Sequence, residues 1–172
     1  GEIIWTGANV LKNATGYDLT ALMIGSEGTL GVITTIVFRL IPLPTKNITL
    51  FIPFGSVEKA CESVSAVFRA GIIPSALEFI ERDAIDWTLK YTDVKLQIND
   101  DVKAHLLIEV DGNDMDVLYK ECERIFEVMQ EFECGEILLA DSETQKNQLW
   151  QLRRAIGEAV KSNSIYKEED TV

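Results

Sequence analysis

The residue pattern predicts an α+β fold: an antiparallel sheet covered on one face by helices, preceded by a shorter β-rich segment. Three observations carry this expectation. From Asn47 onward, strand-like and helix-like periodicities alternate in the order β-α-β-α-β-α-β-α. Before Lys46 the chain is β-branched and punctuated by Gly7, Gly16, Gly25, Gly28 and Gly31, as tight turns and close backbone approaches demand. Between these regions the P-L-P-T-K stretch marks a boundary, so the expected domains are residues 1–46 and 47–172.

Each element has a local reason. The run V-I-T-T-I-V-F-R-L-I-P reads as a strand that Pro42 and Pro44 end. Asp18 is a candidate N-cap for a short helix through Leu22. In the second region I-T-L-F-I-P-F is a strand. Ser56 then opens a helix whose apolar stripe is Val57, Ala60, Cys61, Val64, Val67 and Phe68, and Gly71 stops it. S-A-L-E-F-I-E is a short strand, and Asp83 to Tyr91 a helix. H-L-L-I-E-V-D-G alternates, with Leu106, Ile108 and Val110 on one face and His105, Leu107 and Glu109 on the other. The segment Asp114 to Phe132 places Leu118, Cys122, Ile125, Phe126, Met129 and Phe132 inward as a long helix. E-I-L-L-A is the last strand. Ser142 and Gln145 then form the S-x-x-Q capping signature of a final helix.

Composition excludes several classes. With 28 acidic against 16 basic residues the net charge is −12, and no Lys/Arg stripe collects phosphates, so nucleic acid is not an expected partner. No run approaches the roughly 20 apolar residues of a membrane helix. Cys61, Cys122 and Cys134 lack any C-x-x-C spacing; Cys61 and Cys122 read as small core residues of a reducing compartment. With His105 the only histidine, no metal site is expected. His105 itself reads as an exposed strand residue rather than a base. Trp87 and Trp150 read as core or interface anchors, and Trp5 as part of a strand-like edge.

The stretch with chemical content is G-S-E-G-T-L-G, Gly25 to Gly31, which leads directly into a strand. Glycines there expose backbone N–H groups and let a ligand approach. It is not a Rossmann fingerprint, since the spacing differs and no helix follows, and it lacks the Gly-Lys-Ser/Thr of a P-loop. By spacing alone it remains either a plain turn or a nucleotide-contacting loop.

The longer block K-N-A-T-G-Y-D-L-T-A-L-M-I-G-S-E-G-T-L-G-V-I-T closely resembles the last part of the FAD-binding domain in flavoproteins of the vanillyl-alcohol oxidase type. Within them it is similar to the glycolate oxidase, D-lactate dehydrogenase and D-2-hydroxyglutarate dehydrogenase branch. That resemblance implies FAD contacts, mainly through backbone, at Glu27, Gly28, Thr29, Gly31, Val32 and Ile33. Thr15, Gly16 and Asp18 are weaker candidates. S-A-L-E-F-I-E, the strand with His105, and N-Q-L-W-Q-L-R-R through the end resemble the C-terminal domain of FAD-linked oxidases. Residues 47–172 are thus expected to be an incomplete, ferredoxin-like substrate or cap domain behind a β-rich remnant of the FAD-binding domain. The resemblance puts the pyrophosphate loops upstream and an H-G-D-G-N metal and active-site segment downstream. The chain is therefore expected to be an interior piece, inactive alone and holding FAD weakly or not at all.

The last helix carries an argument of its own. Leu149, Ile156 and Val160 define an inward face, and Arg153 lies four residues after Leu149 and three before Ile156, within it. Arg154 points about 100° away, toward solvent. A guanidinium on an apolar stripe keeps its charge and needs an anion. That anion is an internal carboxylate, with Glu78 or Glu109 the candidates, or a ligand; alternatively the side chain snorkels to the edge. The resemblance implies the ligand, because the arginine of L-W-x-L-R in these enzymes clamps the substrate carboxylate. Lys167 matches a lysine near the substrate of hydroxyglutarate-type relatives, or is a solvated residue of a charged terminal run. Gly157 stands where some of those relatives carry a substrate-contacting threonine.

Taken together, these readings imply oxidation of a small 2-hydroxy acid (glycolate, D-lactate or a similar acid) to the 2-oxo acid. FAD would accept the hydride and an electron acceptor other than NAD would reoxidise it. No catalytic base is assignable within the 172 residues. Location is expected to be cytoplasmic, with peripheral membrane association and homo-oligomerisation left open. Two rival readings stand beside this one: a non-catalytic cap or oligomerisation module, and a relative of flavin-dependent ether-lipid synthases.

Overall fold

The computed structural model describes residues 1–8, 10 and 12–167. Residues 168–172, the acidic end of the charged terminal run, lie outside the described residues. The chain divides into two compact units, Gly1–Pro42 and Leu43–Val172.

In the first unit the one regular element among the described residues is helix α1 (Leu19–Met23), whose N-cap Asp18 accepts a hydrogen bond from the Ala21 amide at 3.0 Å. The strand expected over residues 32–42 has no ladder partner among the described residues. A strand is defined by the chain beside it, and its β-branched side chains, Val32, Ile36 and Val37 among them, are exposed here. Among the described residues of this segment, the expected β-rich character is therefore not matched by ladder hydrogen bonds.

The second unit follows the expected order: β1 (Lys46–Phe54), α2 (Val57–Arg69), β2 (Ala76–Glu81), α3 (Arg82–Tyr91), β3 (Ala104–Gly112), α4 (Met115–Gln130), β4 (Leu138–Ala140) and α5 (Glu143–Asn163). The sheet is antiparallel in spatial order β2-β3-β1-β4, the ferredoxin-like arrangement in which α2 and α4 serve as crossovers. β1 runs against β3 from the Lys46–Gly112 pair to Phe54–Ala104. Ser56 caps α2 by accepting from the Lys59 amide, and Gly71, at φ +75°, reverses the chain after it.

Helices cover both faces of this sheet, not one. Ile48, Leu50, Ile52 and Phe54 of β1, with Ala104, Leu106, Ile108 and Val110 of β3, pack under α2 and α4. Phe51, Leu107, Ile80 and Ala140 point the other way, into a second core closed by Ile85 of α3 and Leu149 and Leu152 of α5. The cause is visible in β1, where five consecutive residues, Ile48 to Ile52, are buried. A strand with one wet face alternates, whereas a strand covered twice reads as a continuous apolar run.

The double cover also moves two residues from their expected places. His105 is 3% exposed, stacked on Phe51 with ring centroids 4.2 Å apart, because its face of β3 lies under α3 and α5. Conversely Cys61 is exposed, since the side of α2 it occupies is not the one facing the sheet; Cys122 is buried as expected, which pushes its thiol up to about 11. No described helix is long and apolar enough to cross a membrane.

Candidate functional site

The candidate site forms where α5 crosses the second face of the sheet. Ser142 caps α5, accepting from the Gln145 amide at 3.4 Å while its hydroxyl donates to Gln145 Oε1 at 2.7 Å. The buried residues of α5 are Lys146, Leu149, Leu152 and Ala159, with Ile156 packed against the same core and Val160 half-buried. The inward stripe is therefore rotated from the expected one toward Leu152 and Ala159. That rotation leaves Arg153 on the flank of the stripe rather than at its centre, and Arg154 exposed.

On that flank Arg153 Nε donates to Glu78 Oε2 at 2.9 Å. Of the anions the sequence offers, the internal partner is Glu78; Glu109 is committed elsewhere. Its Oε2 accepts from the Trp150 indole at 2.8 Å and from the Thr49 hydroxyl at 2.9 Å. Further along, Lys146 Nζ donates to Asn47 Oδ1 at 2.6 Å and pairs with Glu143. The result is a polar row across one end of the sheet: Asn47 with Lys146, Thr49 with Glu109 and Trp150, Glu78 with Arg153. Both side chains of the last pair are partly exposed, 39% for Arg153 and 32% for Glu78. Among the described residues Nη1 and Nη2 of Arg153 take no hydrogen-bond partner. This planar end, with two diverging N–H pairs, is the part of a guanidinium that matches a carboxylate.

Periodicity alone passes over Lys146 and Thr49. Lys146 carried a signal, standing three residues before Leu149 and seven before Arg153 on the same helix face. Thr49 carried none, because a threonine in a strand is ordinary until its cross-strand neighbour Glu109 is known.

His105 sits deeper on the same face. Its Nδ1 is buried without a hydrogen-bond partner among the described residues. Burial, assisted by the nearby Arg82 guanidinium, lowers its pKa from 6.5 to about 4. It is a neutral core residue at physiological pH. No three His, Cys, Asp or Glu side chains cluster as metal ligands among the described residues.

The glycine loop belongs to the other unit. Gly25, Glu27 and Gly28 all have positive φ, +80°, +48° and +79°. The Thr29 amide and hydroxyl both donate to the Ser26 carbonyl, at 2.9 and 2.7 Å, which closes the turn. Glu27, Gly28, Thr29, Val32 and Ile33 are exposed and Gly31 half-buried, where a Cβ would come 3.1 Å from Met23 Cε. At Gly28 a Cβ would meet open space, so its backbone is accessible to a ligand. An exposed backbone with consecutive left-handed residues fits contact with a flavin through main-chain groups. Lys167 follows α5, exposed, after Tyr166, whose ring stacks under Lys161 Nζ at 5.5 Å. The two units hold these candidates separately: the loop lies in the first, Arg153 and Lys167 in the second.

A ferredoxin-like sheet covered by helices on both faces, with the Arg153–Glu78 pair on its flank, defines the class as an α+β domain. Residues 43–172 match the family model described as FAD linked oxidases, C-terminal domain, and the chain belongs to that family. It is 35% identical over 98% of its length to a D-lactate dehydrogenase of Anaerostipes hadrus, covering 36% of that protein. It is 34% identical over 90% of its length to the glycolate oxidase subunit GlcD of Bacillus subtilis (strain 168), covering 32% of it. The chain thus spans about a third of the length of these curated relatives. Among solved structures, an alkyldihydroxyacetonephosphate synthase superposes on 84% of the chain, and the chain covers 30% of that structure, with a TM-score of 0.59. At 18% identity this likeness concerns the fold alone.

Proposed function

We propose that the protein to which this chain belongs oxidises a small 2-hydroxy acid, such as glycolate, D-lactate or a related D-acid, to the 2-oxo acid. Membership of the FAD-linked oxidases implies FAD in that protein. FAD, when bound, supplies the hydride acceptor, and an acceptor other than NAD takes the electrons onward. The single observation that carries the reading is Arg153, held at Nε by Glu78 with its terminal nitrogens unpartnered among the described residues. In this reading those nitrogens clamp the acid's carboxylate, and Lys167 adds a second positive charge. The backbone of Glu27, Gly28, Thr29, Gly31, Val32 and Ile33 lines the cofactor. The exposure of Glu27 and Gly28, both at positive φ, supports that role, because it leaves the loop backbone open to a ligand. No general base is assigned to this chain.

Two measurements test the reading. A dye-linked assay of the flavin-loaded protein across a panel of 2-hydroxy acids is expected to show turnover of short D-acids; inactivity toward all of them would refute the substrate class. In the same assay Arg153→Met is expected to raise the apparent KM for the acid by about 100-fold, the worth of a charge-assisted bidentate contact of about 3 kcal/mol. An unchanged KM would remove Arg153 from the site. For the chain of residues 1–172 by itself, titration of FAD is expected to give weak binding or none, and tight stoichiometric binding would overturn that expectation.

A further inference from the structure

We infer that Glu78 is the positioning residue of the candidate clamp: by accepting the Nε–H of Arg153 it fixes the guanidinium plane and presents Nη1 and Nη2 to a monocarboxylate. The inference rests on the reading of Arg153 as the carboxylate clamp and names the group that would make the clamp competent.

The argument is geometric. A guanidinium offers its five N–H donors along two side edges and one end. A carboxylate engaged through a side edge by both of its oxygens would take Nε together with one terminal nitrogen. Here the contact is single, Nε to Oε2 at 2.9 Å, and the end of the guanidinium has no partner among the described residues. Glu78 is suited to hold this orientation because its backbone is locked in the sheet, paired with Leu107 of β3. Glu109, the other carboxylate that the sequence offers to Arg153, is kept away from the competition, occupied by the Trp150 indole and the Thr49 hydroxyl. Trp150 lies three residues before Arg153, so one helical turn supplies both the arginine and the donor that engages the second carboxylate.

Charge and orientation oppose each other in this arrangement. Glu78 partly neutralises Arg153, which weakens its attraction for an anion, while the hydrogen bond removes the rotational freedom that a long side chain would lose on binding. A positioning role requires the second effect to win. It also requires the acceptor atom, rather than the negative charge, to be what matters.

That requirement separates three variants of the flavin-loaded protein to which the chain belongs. Binding of D-lactate is followed as the dissociation constant taken from the concentration dependence of flavin reduction without an added acceptor, with circular dichroism and thermal midpoints recorded in parallel. Glu78→Gln keeps an acceptor at the same reach and is expected to bind within about threefold of wild type. Glu78→Leu removes the acceptor and is expected to weaken binding about tenfold. Glu78→Asp keeps the charge but shortens the reach by one methylene, and is expected to resemble Glu78→Leu. A purely structural ion pair would instead move the thermal midpoints and leave the dissociation constants alone. Equal or tighter binding by folded Glu78→Leu and Glu78→Asp overturns the inference and makes Glu78 a bystander or a competitor of the ligand. Arg153→Met serves as the control. If it loses D-lactate while the Glu78 variants do not, the positioning role fails and the clamp stands. If it binds as wild type does, or if wild type shows no saturable dependence on D-lactate, the clamp reading fails and takes this inference with it.

Discussion

Replacing His105 by Phe should remove a pH-dependent weakness from the second core. His105 is 3% exposed, stacked on Phe51, and has a buried Nδ1 with no partner among the described residues. Its pKa is lowered from 6.5 to about 4 by burial and by the nearby Arg82 guanidinium. The unfolded chain therefore binds this proton at a higher pH than the folded one. The stability tied to neutral His105 is fully present above about pH 6.5 and is lost as pH falls toward the folded-state value. At pH 4.5 an imidazole of pKa 6.5 in the unfolded chain is protonated while one near 4 in the folded chain is mostly neutral, and linkage at about 1.4 kcal/mol per unit gives a loss of about 2–3 kcal/mol relative to pH 7.5.

All other titrating groups are common to wild type and His105→Phe, so the difference between their stability curves isolates this one residue. The assay is urea denaturation of each protein followed by circular dichroism, at half-unit steps from pH 7.5 to 4.5. Wild type should lose about 2–3 kcal/mol more than the variant across that range, most of it below pH 6.5. The absolute stability at pH 7.5 decides less. Removing an unsatisfied nitrogen favours the variant by about 1–3 kcal/mol, and fitting a larger ring costs a similar amount. Parallel curves for the two proteins would refute the reasoning, since they would mean that His105 titrates alike in the folded and unfolded chains.

Three further outcomes follow from the packing. Gly157 lies inside α5 with open space where a Cβ would stand, so Gly157→Ala should stabilise the protein by about 1 kcal/mol, seen as a rise of a few degrees in Tm. Gly71→Ala should cost about 1–2 kcal/mol, because Gly71 reverses the chain after α2 at φ +75°, where a Cβ is strained whatever the space around it. Leu152→Ala should cost about 2–5 kcal/mol, since Leu152 is fully buried between α5 and the sheet; a loss below 1 kcal/mol in denaturant melts would mean that the second core is not packed as described.

Much of the second unit could be read from local signals because those signals are local in origin. Ser56, Asp114 and Ser142 cap α2, α4 and α5 through bonds to amides two or three residues away, and such contacts need no knowledge of the rest of the chain. The alternation of Leu106, Ile108 and Val110 against His105 and Leu107 likewise belongs to the strand itself. For the candidate site, the period of α5 was enough to mark Arg153 as a charge on a partly buried face in need of an anion.

What periodicity could not supply was the identity of anything beside an element. It left His105 exposed and Cys61 buried, because a strand does not say whether a second layer of helices covers its other face. It also drew residues 32–42 as a strand, although β-branched residues form one only against a neighbouring chain. In the same way it left Arg153 open between Glu78, Glu109 and a ligand. The sequence by itself determined the order of the elements from β1 to α5, the caps of α2 and α5, and the inward stripe of α4, since each depends on residues within about one or two turns of one another. Only the tertiary structure decided that the sheet is covered on both faces, that Glu109 is occupied by Trp150 and Thr49, and that Glu78 is the carboxylate at Arg153 Nε. The physical reason is that these contacts join residues 41 to 75 positions apart, and helix and strand periods carry no information at that range.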